Sequence, residues 1–231
     1  MRVDPRSCTL LKGLVGSTAY GLAHEGSDKD YIGMFAVPSA KLFELNPPDL
    51  NKGVEFKNPD TKFYEAAHYC RLALGCNPTI LELLWLEHYN LRTEYGNQLI
   101  AIRGAFPSAK LVRDAYFGYA TQQFNKTIAR NGEVSRPEKS ARHLYRLLYQ
   151  GTELYTTGRL IVKLPDPEKF IDFGKRVAAG DFDLAKQAMA DAQKKFNSKS
   201  ALPANPNKKL VNEWLLGVRH GLYQHPDSNP A

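Results

Sequence analysis

The chain has 231 residues, with 31 Lys+Arg against 24 Asp+Glu and a formal net charge of +7. Hydrophobic residues make up 43% and charged residues 24%, close to globular averages, which excludes extensive disorder and fibrous repeats; one or two domains of this size can bury about 70% of the unfolded surface. No run approaches the roughly 20 apolar residues of a membrane span, and the opening Met1-Arg-Val-Asp-Pro-Arg lacks the long apolar stretch of a secretory leader.

The first predicted elements are short. Thr9–Val15, Tyr31–Val37 and Val54–Phe56 are apolar runs broken by Gly, Pro and Asn, the pattern of strands between turns. Thr61–Leu74 begins extended and continues as a helix, with Leu72 and Leu74 near its end. Asn77-Pro78 then reads as a helix start, Asn capping and Pro in the first helical position, followed by a short apolar helix over Thr79–Trp85. Beyond residue 90 apolar residues recur at helical spacing in Gln98–Ile102, Leu111–Phe124, Ala141–Leu154, Phe170–Ala178, Phe182–Phe196 and Leu210–Leu222. Asn131-Gly132 and Pro203–Pro206 mark breaks, and the polar tail Gln224–Ala231 reads as frayed. An α+β fold is expected: a small unit over 1–90, then a helical region over 91–231.

Cys8, Cys70 and Cys76 have no framework spacing and suit a reducing compartment, so a cytoplasmic location is expected. The positive excess favours a polyanionic partner such as a nucleotide phosphate or a nucleic acid, an inference that is weak taken alone.

Chemistry concentrates in Gly16-Ser17-Thr18-Ala19-Tyr20-Gly21 and Ser27-Asp28-Lys29-Asp30-Tyr31-Ile32-Gly33. On a strand, Asp28 and Asp30 project from one face. Carboxylates that close repel unless a cation sits between them, and hard oxygen ligands suit Mg²⁺ (or Mn²⁺), which keeps waters and adds substrate phosphate oxygens. Gly16 and Gly21 allow close backbone approach, and Ser17 offers a hydroxyl and an amide. Either motif alone is common in solvated turns. Their order sharpens the reading: strand, Gly-Ser turn, about ten residues, then Asp-x-Asp opening a second strand.

Those residues resemble the signature of the DNA polymerase β-like nucleotidyltransferase superfamily. The extended form, Gly16-Ser17-x-x-Tyr20-Gly21…Ser27-Asp28-x-Asp30-Tyr31-x-Gly33, is similar to its RNA-ligase-associated branch of bacterial and phage nucleotidyltransferases. Arg71-Leu72-Ala73-Leu74 with Asn77-Pro78-Thr79-Ile80-Leu81-Glu82-Leu83-Leu84, then Phe117-Gly118-Tyr119-Ala120, Arg142–Leu148, Gly151–Leu154 and Leu202-Pro203 resemble later segments of that branch. One departure is Cys76, where the branch more often has Gly before Asn-Pro; Gly75 sits one place earlier.

The resemblance implies a minimal nucleotidyltransferase palm, a short mixed sheet with helices, closed by a helical region over the nucleotide. It also implies two Mg²⁺ ions held by two or three carboxylates, promoting in-line transfer from an NTP (ATP among them) to a hydroxyl. Asp28 and Asp30 match the metal pair, Gly16 and Ser17 the phosphate turn, and Tyr20 belongs to the same nucleotide-binding motif. A third carboxylate is expected from the neighbouring strand. Asp60 and Glu65 flank Thr61–Tyr64 and fall on opposite faces of a regular strand, so at most one faces the metals. The order Asp60-x-x-x-Tyr64 ahead of Arg71–Leu74 resembles the branch and favours Asp60; the other role open to Glu65 is at a helix N-terminus.

In the helical half Lys139, Arg142, His143 and Arg146 share one helix face, either as a cradle for triphosphate or nucleic-acid backbone or as a solvated face. The resemblance favours phosphate or nucleotide contact most for Arg142 and His143. Tyr119, Tyr145, Tyr149 and Tyr155 read as core before stacking platforms, Glu153 as a structural ion-pair partner, and His24 as exposed. Lys194, Lys195, Lys199, Lys208 and Lys209 read as solvated helix faces. Three functions compete: nucleotidyl transfer to an RNA or DNA end, a protein side chain or a small molecule; a catalytically inactive nucleotide- or nucleic-acid-binding module; and metal-dependent hydrolysis on the same palm. No feature of the sequence specifies an oligomeric state.

Overall fold

The computed structural model describes residues 3–128 and 136–223. The expected break at Asn131-Gly132 and the tail Gln224–Ala231 lie outside the described residues.

After a 3₁₀ turn over Pro5–Cys8, β1 (Thr9–Val15) runs into the short helix α1 (Gly16–Tyr20) and β2 (Asp30–Phe35) returns beside it. β3 (Val54–Phe56) and β4 (Thr61–Glu65) follow, then α2 (Ala66–Leu74), α3 (Pro78–Glu82) and β5 (Leu91–Arg92). The order is β3-β4-β2-β1-β5. β2 and β4 are parallel, and the β1–β2, β1–β5 and β3–β4 pairs are antiparallel. This is the expected mixed sheet. Strand β5 adds two residues to it just beyond residue 90.

The helical region comprises α4 (Glu94–Ala101), α5 (Ala109–Ile128), α6 (Pro137–Thr157), α7 (Pro167–Ala178), α8 (Phe182–Phe196) and α9 (Lys208–Gly221). Capping chemistry sets several starts. Asn77 accepts from the Ile80 amide ahead of Pro78, as expected, while Asp166, Asp181 and Asn207 do the same for α7, α8 and α9. Helix α6 packs against α5, α7 and α8, and α9 returns to α2 and α4.

One apolar cluster runs from Leu10 and Ile32 through Leu81 and Leu99 to Leu147, Phe173 and Val218, so sheet and helices share a core. Tyr145 and Tyr155 lie in or against that core, Tyr145 stacked 4.3 Å from Phe173 and Tyr155 edge-on to Phe196. All three cysteines are free. Burial pushes the Cys70 thiol up to about 12. No described helix is long and apolar enough to cross a membrane.

Candidate active site

Strand register brings the two motifs together. Val15, the last residue of β1, pairs with Asp30, the first of β2. The chain then turns at Gly16 with φ +71°, a left-handed conformation that a side chain strains. A Cβ on Gly16 would stand 2.8 Å from Asp30 Oδ2, so the turn and the carboxylate are closely fitted. Helix α1 ends at Gly21, where the Leu22 amide donates to the Ser17 carbonyl at 2.8 Å. The loop leading to Asp28 is tied by the His24 amide donating to Ser27 Oγ (2.9 Å) and the Ser27 amide donating to the His24 carbonyl (2.9 Å).

Asp28 is exposed and precedes β2 by two residues, whereas Asp30 is half-buried on the strand. Asp60 approaches from the neighbouring strand. Tyr31 and Thr61 are register partners, and the Tyr31 amide donates to the Asp60 carbonyl at 2.8 Å. Burial, then the Asp60 charge, raises the Asp30 carboxyl above its ordinary value; Lys139 pulls the other way and Asp28 adds to the rise. Three carboxylates therefore act on one another here. Glu65 goes elsewhere. It is fully buried, caps α2 by accepting from the Ala67 amide (2.8 Å), and pairs with Arg219 of α9 at 2.6 Å. It is no part of the Asp28–Asp30 group, because the strand alternation that buries Glu65 with Thr61 and Phe63 points it into the molecule.

Ser17, Asp28 and Asp30 line one side of an open cleft of ≈ 750 Å³, with Arg136, Lys139 and Arg142 on the other. Arg142 lays its stem along α7, where Gly174 leaves room, and its guanidinium reaches Glu138 only at 3.9 Å. The basic stripe of α6 divides along its length. Lys139 and Arg142 meet the cleft, but one to two turns on the same face enters the core.

There Arg146 is 2% exposed, donates to Glu82 Oε1 at 2.7 Å, and stacks 4.1 Å over the Tyr20 ring. Tyr20 Oη in turn donates to Glu82, 2.7 and 2.8 Å from its two oxygens. Burial pushes the Glu82 carboxyl up, while burial works against the Arg146 charge and is outweighed by Tyr20 and Glu82. We take the pair as ionised, since Glu82 receives two donors at hydrogen-bond distance. His143 lies 3.3 Å from Arg146 Nη2, and burial, then Arg146, lowers it to about 3, so it is neutral. Tyr20, His143 and Arg146 are thus absent from the cleft wall, and the expectation that they touch nucleotide is corrected: they support the turn from behind.

Arg136 lines the cleft although the motifs did not mark it; its signal was the residue three before Lys139, hidden by Pro137. Among the described residues no three or more His, Cys, Asp or Glu side chains form a ready-made metal cage. An exposed Asp28 beside a half-buried Asp30 whose proton affinity is raised by neighbouring carboxylates is instead an open, all-oxygen donor set. Such a set fits an ion that completes its shell with water and substrate phosphate, as Mg²⁺ does.

The family model described as RNA repair pathway DNA polymerase beta family (RlaP) matches residues 6–167. That span covers the sheet, the cleft carboxylates and α6. No curated protein is significantly similar to the chain.

Proposed function

Because the chain belongs to the RNA repair pathway DNA polymerase beta family, we propose that it transfers a nucleotidyl group from an NTP to a hydroxyl acceptor with Mg²⁺ or Mn²⁺. The observation that carries this reading is the cleft itself, with the Ser17–Asp28–Asp30 side facing Lys139, Arg142 and Arg136. Acidic and basic walls across ≈ 750 Å³ suit a metal–triphosphate, which presents both signs at once.

Each group has a task. Asp28 and Asp30 hold the metal, with Asp60 as the third carboxylate. Bound Mg²⁺ would supply charge neutralisation for the attacking and leaving oxygens of an in-line displacement. Ser17 binds a phosphate through its hydroxyl and amide, which a side chain on Gly16 would crowd. Lys139 and Arg142 grip the triphosphate, and Arg142, with its stem held against α7, does so in a fixed orientation.

The experiment incubates the full chain with each NTP labelled at the α-phosphate, Mg²⁺ or Mn²⁺, and RNA, DNA, protein or small-molecule acceptors. Label covalently attached to an acceptor supports transfer. Label released only as free nucleoside monophosphate would mean hydrolysis, and NTP binding without turnover a binding module.

A further inference from the structure

Helix α1 has a second flank. Thr18 and Ala19, the residues after Ser17, border a hollow of ≈ 250 Å³ together with Glu87, His88, Val162 and Lys163. A neighbouring hollow of ≈ 440 Å³ shares Glu87, Val162 and Lys163 and continues to Trp85, Arg103 and Arg159. The shared residues join the two into one groove that begins beside the Ser17 turn and ends at the indole of Trp85.

Its chemistry is distinctive. Arg103, Arg159 and Lys163 face a single acid, Glu87, and Arg159, Lys163, Glu87 and His88 are exposed. The Arg103 guanidinium lies 4.4 Å over the Trp85 ring, and that of Arg92 5.6 Å over Tyr89 next door. Burial pushes the Tyr89 hydroxyl up to about 12 against the pull of Arg103 and Arg92, which places Arg103 between the two aromatic residues. Trp85 Nε1 and Tyr89 Oη, both buried, have no hydrogen-bond partner among the described residues. Polar capacity in the floor is thus unmet by the protein.

We propose that this groove seats a single-stranded nucleic acid, and, resting on the transferase reading above, that the strand is the acceptor. Arg159 and Lys163 would meet phosphates, and Arg103, backed by Trp85, offers a flat cationic plane for a base to stack on. Stacking of this kind tolerates any base, and the groove has one acid among its cations to repel a phosphate. An apolar ligand would strand those cations. The triphosphate has its own basic wall across the other flank of α1, at Lys139 and Arg142.

The test measures fluorescence anisotropy of 5′-labelled 12-nucleotide RNA and DNA single strands titrated with the full chain over a salt series. Arg103→Ala/Lys163→Ala is expected to weaken binding by about 10-fold or more and to lower the slope of log K against log salt by roughly 1.4. Arg103→Lys keeps the charge but loses the plane, so affinity falls by about 5-fold with the salt slope unchanged. Lys194→Ala/Lys195→Ala, on an exposed part of α8, changes affinity less than about 2-fold. Wild-type affinity in the Arg103/Lys163 double variant, with its fold intact by circular dichroism, overturns the proposal, as does a wild-type chain that binds neither strand. Strand binding needs no turnover, which separates the two ideas. Groove-dependent binding without nucleotide transfer would leave the groove standing and sink the transferase reading, and transfer to an acceptor that is not a nucleic acid would do the reverse.

Discussion

Gly16 and Asp30 are fitted to each other so closely that a single methyl group on Gly16 would stand 2.8 Å from Asp30 Oδ2. The backbone at Gly16 is also left-handed, at φ +71°. Gly16→Ala therefore meets both a strained φ and a displaced carboxylate. It is expected to lose about 1–2 kcal/mol in urea denaturation and about 100-fold in kcat/KM for nucleotide transfer. Wild-type transfer by this variant would detach the turn from the chemistry.

Asp30 gives a pH dependence whose sign follows from its raised carboxyl. The folded chain holds that proton more tightly than the unfolded chain, whose value is 3.8. Asp30 thus contributes stability that is complete below 3.8 and is lost as pH rises through the raised folded value. At neutral pH without metal the ionised Asp30 is a liability. Asp30→Asn is expected to raise Tm by about 2 °C in chelator, and to abolish the further rise that Mg²⁺ gives the wild type. Differential scanning fluorimetry reads both. A lower Tm for Asp30→Asn in chelator would contradict the electrostatic account.

Removing one partner of the buried Arg146–Glu82 pair strands the other. Arg146→Met is expected to cost about 3–5 kcal/mol, read by denaturant unfolding. Arg146→Met/Glu82→Gln, which removes both charges, recovers at least about half of that loss. A double variant no better than the single would mean that packing, not charge, dominates there.

Cys76 sits at φ +55° and is fully buried just before the Asn77 cap. The branch this chain resembles more often has Gly there, which the left-handed backbone explains. Cys76→Gly relieves the backbone and vacates a small space, so the two effects offset within about 1 kcal/mol. Cys76→Val, β-branched in that conformation, loses about 2 kcal/mol or more. Thermal unfolding of the pair decides it, and equal Tm values would rule out the strain.

Much of this architecture was legible because local signals were strong. Apolar runs between Gly and Pro gave β1 and β3 to the residue, and the Asn77-Pro78 cap marked α3. Strand β5 was not legible, since two residues carry no period. At the site, Gly16, Ser17, Asp28 and Asp30 are close in sequence and their strands pair directly, so spacing conveyed geometry. The support behind them was hidden. Glu82 lies 62 residues from Tyr20 and 64 from Arg146, inside a helix whose pattern is simply apolar. The α6 stripe shows four groups on one face, but periodicity cannot say where along the helix that face leaves the cleft for the core. Glu65 shows the same limit, because its partner Arg219 is on the last helix.

The most direct measurement is steady-state pyrophosphate release with Mg²⁺, an NTP and a nucleic-acid acceptor, comparing the wild type with Asp28→Asn, Asp30→Asn and Lys139→Ala. The account predicts that each Asp variant loses kcat by about 1,000-fold, with its fold intact. It predicts that Lys139→Ala raises the NTP KM by about 10-fold while changing kcat less. Pyrophosphate released at the wild-type rate by both Asp28→Asn and Asp30→Asn would contradict it.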